Sequence, residues 1–234
     1  MNQPSISASG ARLTGFVYLA YFMTAIPGGM LLKRYVTPHD AAATADAISA
    51  NESLFRLGLT LDISANVLYL ALAALLYGLL APVGRRAALM AALFAAAGCS
   101  VQLIGDLVQS MVPILLRDAD LAAAFGAETR QMAAMLSLKA YSQVFNISLV
   151  LFGLFDVLIG WLILRSGYLP SLLGLAFIAA GCGWLIFLWP PLALKLYVYI
   201  LPPGMLAEVI LMLWLLAFGV NRTKWRERTK VAST

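Results

Sequence analysis

An all-α fold, an integral membrane bundle of six transmembrane helices with short surface helices in its two long outer loops, is what this sequence predicts. Three observations carry that expectation. Of 234 residues, 62% are hydrophobic and only 12% charged, with a mean hydropathy of +0.88, far outside soluble usage. The apolar residues gather in six runs, about 13–32, 57–80, 87–116, 136–164, 172–188 and 204–220, each close to the length that crosses a hydrocarbon core. Polar side chains inside those runs recur at steps of three and four, which places them on shared helical faces. The chain is thus read as one membrane domain, 1–234, with 221–234 as a basic cytoplasmic tail.

The segment before the first run, MNQPSISASGAR, is polar with Arg12 as its only basic residue, and no cleavage site follows the run. The first span is therefore expected to be retained rather than removed as a signal peptide. Near its far end stand Pro27, Gly28 and Gly29, which either end the helix early or break it, since proline removes a donor and glycine loosens the backbone. In the connection that follows, Thr37, Pro38 and Asp40 resemble a helix start with Thr37 as N-cap, leading into a short surface helix as far as Ile48. His39 has no second His or Cys near it and reads as a solvated loop residue.

The second span carries Asp62, Asn66, Tyr69, Ala73 and Tyr77 on one face, and Pro82, Gly84, Arg85 and Arg86 turn the chain into the third. That third span holds the polar stripe Cys99, Gln102, Asp106, Gln109 and Pro113. Beyond it, Asp118 can cap a short Ala-rich helix that Gly126 interrupts. The fourth span places Lys139, Gln143, Asn146 and Gly153 on one face, with Asp156 off that stripe and calling for a partner on another helix. In the fifth, Gly174 and Gly181 lie seven apart, which serves close helix packing or pairing between copies in a homo-oligomer. Pro190 and Pro191 end that span; Pro202, Pro203 and Gly204 introduce the sixth, whose acid is Glu208.

Six spans put both termini on one side. Arg12, Arg85, Arg86, Arg165 and the cluster Arg222, Lys224, Arg226, Arg228 and Lys230 crowd short segments there, nine basic residues against seven spread over longer loops opposite. The density assigns that side, with both termini, to the cytoplasm. The charge of +5 is thus an anchor beside anionic lipid rather than a nucleic-acid footprint.

This topology sends Asp62, Asn66, Asp106, Gln109, Gln143, Asn146 and Glu208 to the outer half of the membrane, with Gln102 on the same stripe as Asp106. Together they form the candidate ligand-binding set of an outward-facing polar cavity under two loops. Several carboxyl groups at one depth must be protonated, paired or bound to a positive ligand. The site therefore suits a proton, a cation, an amine or a small polar solute, with Lys139, Arg56 and Lys195 as the nearest charges by topology. A purely structural reading, helix-to-helix hydrogen bonding, uses the same groups.

One His and two Cys exclude a multi-ligand zinc site, and Cys99 and Cys182 read as small apolar side chains, so no metal and no cofactor is expected. No His-rich cluster, no Ser and His pair within spans and no GxGD motif supports intramembrane hydrolysis. The leading expectation is a non-enzymatic transporter or small-solute binding protein. A membrane sensor that docks a partner through its tail is the alternative, and an enzyme using a pair such as Asp62 and Asp106 is the weaker one.

The stretch FGLFDVLIGWLILRSGYLPSLLGLAFIAAGCGWLIF from Phe152, the later AEVILMLWLLAFGVN, and the earlier ARLTGFVYL, SLFRLG and LLYGLLAPVGRRAALMA resemble a bacterial membrane family known as domain-of-unknown-function family 4386. The RSGYLPSLLG turn and the Glu208 to Trp214 spacing are the most specific parts of that resemblance. It implies a multi-spanning protein of the bacterial cytoplasmic membrane and brings neither an activity nor a site.

Overall fold

Helices account for nearly all of the computed structural model, which describes residues 8–231, and no strand occurs among them. In chain order they are α1 (Ala8–Arg34), α2 (Ala41–Ala50), α3 (Glu52–Leu80), α4 (Arg85–Arg117), α5 (Ala119–Ala124), α6 (Ala127–Ser166), α7 (Ser171–Leu185) with a 3-10 turn at Ile186–Leu188, α8 (Pro190–Ala217) and α9 (Arg222–Val231). Six of the segments are long and apolar enough to span a bilayer: Gly10–Arg34, Glu52–Leu80, Arg85–Arg117, Ala127–Ser166, Ser171–Leu188 and Pro190–Ala217. The all-α membrane architecture is therefore observed, with α2 and α5 as the two short loop helices.

Several boundaries differ from the sequence expectation. Pro27 neither ends nor breaks α1, which continues to Arg34. The reason lies in Gly28, where an added Cβ would stand 3.1 Å from the Asp62 backbone nitrogen and from Leu61 Cβ. Close packing on α3 holds the helix together past the proline. The cap of α2 is Asp40, not Thr37: the Asp40 side chain accepts from the Ala43 N–H at 2.8 Å, and Thr37 instead exchanges hydrogen bonds with the Thr44 hydroxyl. His39 adopts φ 63° in the exposed turn before it. Asp118 does cap α5, accepting from the Leu121 N–H at 2.9 Å.

The sixth spanning helix starts at Pro190 rather than Gly204, because a proline at the first helical position sacrifices no intrahelical bond. Pro202 and Pro203 then lie inside it. Residues 222–231 of the basic tail are helical, as α9.

The chain divides into two compact units. One comprises Met1–Ala20, Leu68–Cys99 and Asn146–Thr234; the other comprises Tyr21–Val67 and Ser100–Phe145. The core of the second contains Leu32, Tyr35, Ile48, Phe55, Leu59, Val112, Ala134 and Leu138. Burying α2 through Thr44, Ala45 and Ile48 makes that loop helix part of this core rather than a free surface element.

In the first unit α6 and α7 approach until their backbones nearly touch. Gly153 faces Gly181 and Gly160 faces Gly174: a Cβ on Gly181 would sit 2.6 Å from the Gly153 carbonyl oxygen, and one on Gly174 would sit 2.7 Å from that of Gly160. The seven-residue glycine spacing of α7 is thus matched within the chain by the same spacing on α6. Small residues let spanning helices gain dispersion contact where lipid offers no hydrophobic drive.

The turn between α6 and α7 is tightly specified. Gly167 takes φ 71°, the Ser166 hydroxyl donates to the Ile163 carbonyl and accepts from the Leu169 N–H, and Tyr168 donates to the Leu79 carbonyl at 2.6 Å. Burial pushes the Tyr168 hydroxyl above its ordinary pKa, with the Arg228 charge opposing.

Gly181→Ala is expected to destabilise the protein by about 1–3 kcal/mol, since the new methyl meets backbone that cannot yield. Gly29→Ala, which meets nothing within 4 Å, is expected to be neutral or slightly stabilising. Thermal unfolding of both variants in detergent checks the contrast.

Candidate functional site

Along α4, Ile104, Leu107, Met111 and Ile114 are exposed while Gly105, Asp106, Gln109, Val112 and Pro113 are buried. Along α3, Ile63 and Val67 are exposed while Asp62 and Asn66 are buried. The apolar faces are left for lipid, and the polar stripes turn inward, as the cost of unsolvated polar groups in hydrocarbon requires.

Within the second unit the two stripes meet. Asp106, 1% exposed, accepts on Oδ2 from the Asn66 side-chain amide at 3.0 Å. Asn66 also donates to the Asp62 main-chain carbonyl one turn earlier. The Asp62 carboxyl, 6% exposed, accepts on Oδ2 from the Tyr141 hydroxyl at 2.8 Å and stands close to the Asp106 carboxyl. Among the described residues Asp106 Oδ1 has no partner, nor has the Oε1 of Gln109, which is 3% exposed and one turn further along α4.

Gly105 permits this approach, since a Cβ there would press on Val144 and Tyr141 of α6 at 3.1 and 3.2 Å.

The remaining expected residues have other surroundings. Gln102 is half-buried on α4, Gln143 is exposed on α6, and Asn146 is half-buried in the first unit. Tyr141, two residues before Gln143, is the α6 side chain that reaches the carboxylates. It shares its spacing with the core residue Leu138 and with Phe145, a signal present in the sequence but overshadowed by the Lys139, Gln143 and Asn146 stripe. The expected cations stay elsewhere: Lys139 and Lys195 are exposed, and Arg56 is paired with Glu52.

Glu208 belongs to the first unit, where Tyr69 donates to its Oε1 at 3.2 Å and Tyr18 also reaches it. Its carboxyl lies near that of Asp156, which is 2% exposed, stands beside the Trp184 indole and, among the described residues, keeps Oδ1 without a partner. Asp156 thus finds its partners on α7 and α8. Among the described residues no Lys, Arg or His forms an ion pair with any of these four acids.

Two open clefts lie away from the carboxyl groups. One, of 540 Å³, surrounds the junction of α2 and α3 and is lined by Asn51, Glu52, Arg56 and Arg117 among others. There Glu52 accepts from Arg56 at 2.7 Å and from Arg117 at 2.9 Å, and Arg117 also donates to the Ser49 carbonyl of α2. Arg117 therefore ties the end of α4 to both α2 and the start of α3. The other cleft, of 450 Å³, adjoins α9.

The model of the family described as Domain of unknown function (DUF4386) matches residues 13–219. No curated protein and no solved structure matches the chain.

Arg117→Gln is expected to cost about 0.2–1 kcal/mol, the range of a solvent-exposed pair, and to loosen α2 selectively. Hydrogen exchange checks it: amides of 44–50 should exchange faster than in the native chain, with those of α7 unchanged.

Proposed function

Since the chain belongs to DUF4386, a family whose name carries no activity, we propose its role from geometry: a non-enzymatic transporter or small-solute binding protein that carries a proton on the Asp62–Asp106 pair. The observation that supports this reading is the burial of two neighbouring carboxyl groups that hold only neutral donors, Asn66 and Tyr141, with one Asp106 oxygen unpartnered among the described residues. Two unit negative charges about 4 Å apart repel by about 4 kcal/mol at an effective dielectric near 20, so the pair holds a proton or a small cation rather than standing doubly ionised.

Asn66 and Tyr141 each occupy one oxygen of the pair, which leaves room for a ligand of one or two contacts. A proton fits that description better than a multi-ligand metal, because no three His, Cys, Asp or Glu side chains converge among the described residues. Gln109 sits on the same α4 face one turn away and supplies a further hydrogen-bond acceptor for a small polar solute. The crowding of Arg85, Arg86, Arg165 and the α9 basic residues at span ends supports a cytoplasmic position for those ends and an outer position for the pair.

Asp106→Asn tests the reading in purified, reconstituted protein. The infrared band of the protonated carboxyl, identified by its shift in heavy water, should vanish together with proton uptake into dye-loaded vesicles, while circular dichroism keeps its helical content. An unaltered carboxyl band and unaltered uptake in a folded Asp106→Asn protein would remove the proposal. Loss of helical structure in step with uptake would assign the pair a structural role.

A further inference from the structure

We propose that the cleft between α9 and the α6–α7 turn binds the phosphate of an anionic phospholipid, held by Lys224 and Arg228. The cleft measures 450 Å³ and is lined by Ser166, Gly167, Lys224, Glu227 and Arg228. Its walls come from two places where the chain leaves the membrane: α6 ends at Ser166, and α9 begins at Arg222, shortly after α8 ends at Ala217. A ligand there meets the protein at the depth of lipid head groups.

The cleft is a built feature, not a passing contact of a loose tail. Trp225, 8% exposed, buries its ring beneath α9. The Asn221 N–H donates to the Tyr168 carbonyl at 3.2 Å, and Arg228 donates one Nη to the Arg165 carbonyl at 3.0 Å. That contact orients the guanidinium while leaving its other N–H groups for an anion. Arg165 itself lies over the Trp161 ring at 4.3 Å, an aromatic and basic pairing suited to the membrane interface.

Charge decides which lipid is bound. Arg165, Arg222, Lys224, Arg226 and Arg228, with Lys230 as a sixth, stand against one acid, Glu227, so six positive charges less one negative leave +5 in this part of the chain. Among the described residues none of the five forms an ion pair. Unneutralised basic side chains at the end of a spanning helix attract acidic head groups, and arginine offers phosphate two parallel donors. Glu227, at the cleft wall, weakens that attraction and sets its selectivity against the most acidic ligands.

The full-length protein in neutral detergent is titrated with short-chain phosphatidylglycerol, with short-chain phosphatidylethanolamine and with inorganic phosphate, and binding is followed by native mass spectrometry. Saturable uptake of phosphatidylglycerol is expected, weakened about thirtyfold in the Lys224→Gln, Arg228→Gln double variant. Glu227→Gln should bind it more tightly than the native chain, which keeps the proposal open to test if the double variant does not fold. Equal binding by the double variant overturns the site. Tighter binding of phosphatidylethanolamine that is lost in Glu227→Gln overturns the anionic assignment, and inorganic phosphate binding as tightly as the lipid overturns the lipid as its source.

Discussion

Hydrocarbon cannot hydrogen-bond a carboxyl or an amide, and much of this structure follows from that constraint. Asp62, Asn66, Asp106 and Gln109 lie in helices whose other faces are covered by Ile63, Val67, Ile104 and Leu107, all exposed. Turning the polar stripes toward one another lets Asn66 reach Asp106 and lets Tyr141 reach Asp62. The same demand acts in the first unit, where Tyr69 and Tyr18 reach Glu208 and Trp184 reaches Asp156. In both places the partners are neutral donors rather than lysine or arginine. Neutral donors leave an acid pair free to keep or release a proton, whereas a buried cation would lock it in the charged form.

Packing then fixes how closely the helices stand. Gly28 and Gly58 lie where α1 and α3 press together, Gly105 where α4 meets α6, and Gly153 and Gly160 where α6 meets α7. Each contact brings polar groups within reach of one another or substitutes backbone proximity for side-chain bulk. A proline such as Pro27 is tolerated in that setting because neighbouring helices, not the local bond it removes, hold the chain in place.

The clefts place charge at the ends of the spanning helices. Glu52, Arg56 and Arg117 pin α2 at one junction, and Lys224 and Arg228 stand beside the α6–α7 turn at the other. Exposed charges of this kind contribute little stability. Their value is positional: Arg117 spans three helices, and Arg228 is aimed by a carbonyl rather than by an acid.

Composition and periodicity were sufficient for the six spans, the inward stripes of α3 and α4, and the cap at Asp118, because hydropathy and side-chain period are local properties of a helix in lipid. The α6 stripe was misleading for a physical reason. Lys139 and Gln143 are exposed on a helix of 40 residues, longer than a bilayer needs, so their polarity does not mark an inward face. The sequence named Asp62 and Asp106 as one candidate pair, but the separation of Glu208 from them and its place beside Asp156 were decided by tertiary structure, through helix rotation and the separations that glycine contacts set across long sequence distances. The helical form of α9 and the continuation of α8 through Pro202 and Pro203 were decided there too, since neither has a local signal strong enough to outweigh its charge or its prolines. The sequence by itself determined the membrane environment and the residues that must hide from it; the tertiary structure determined what each of them hides against.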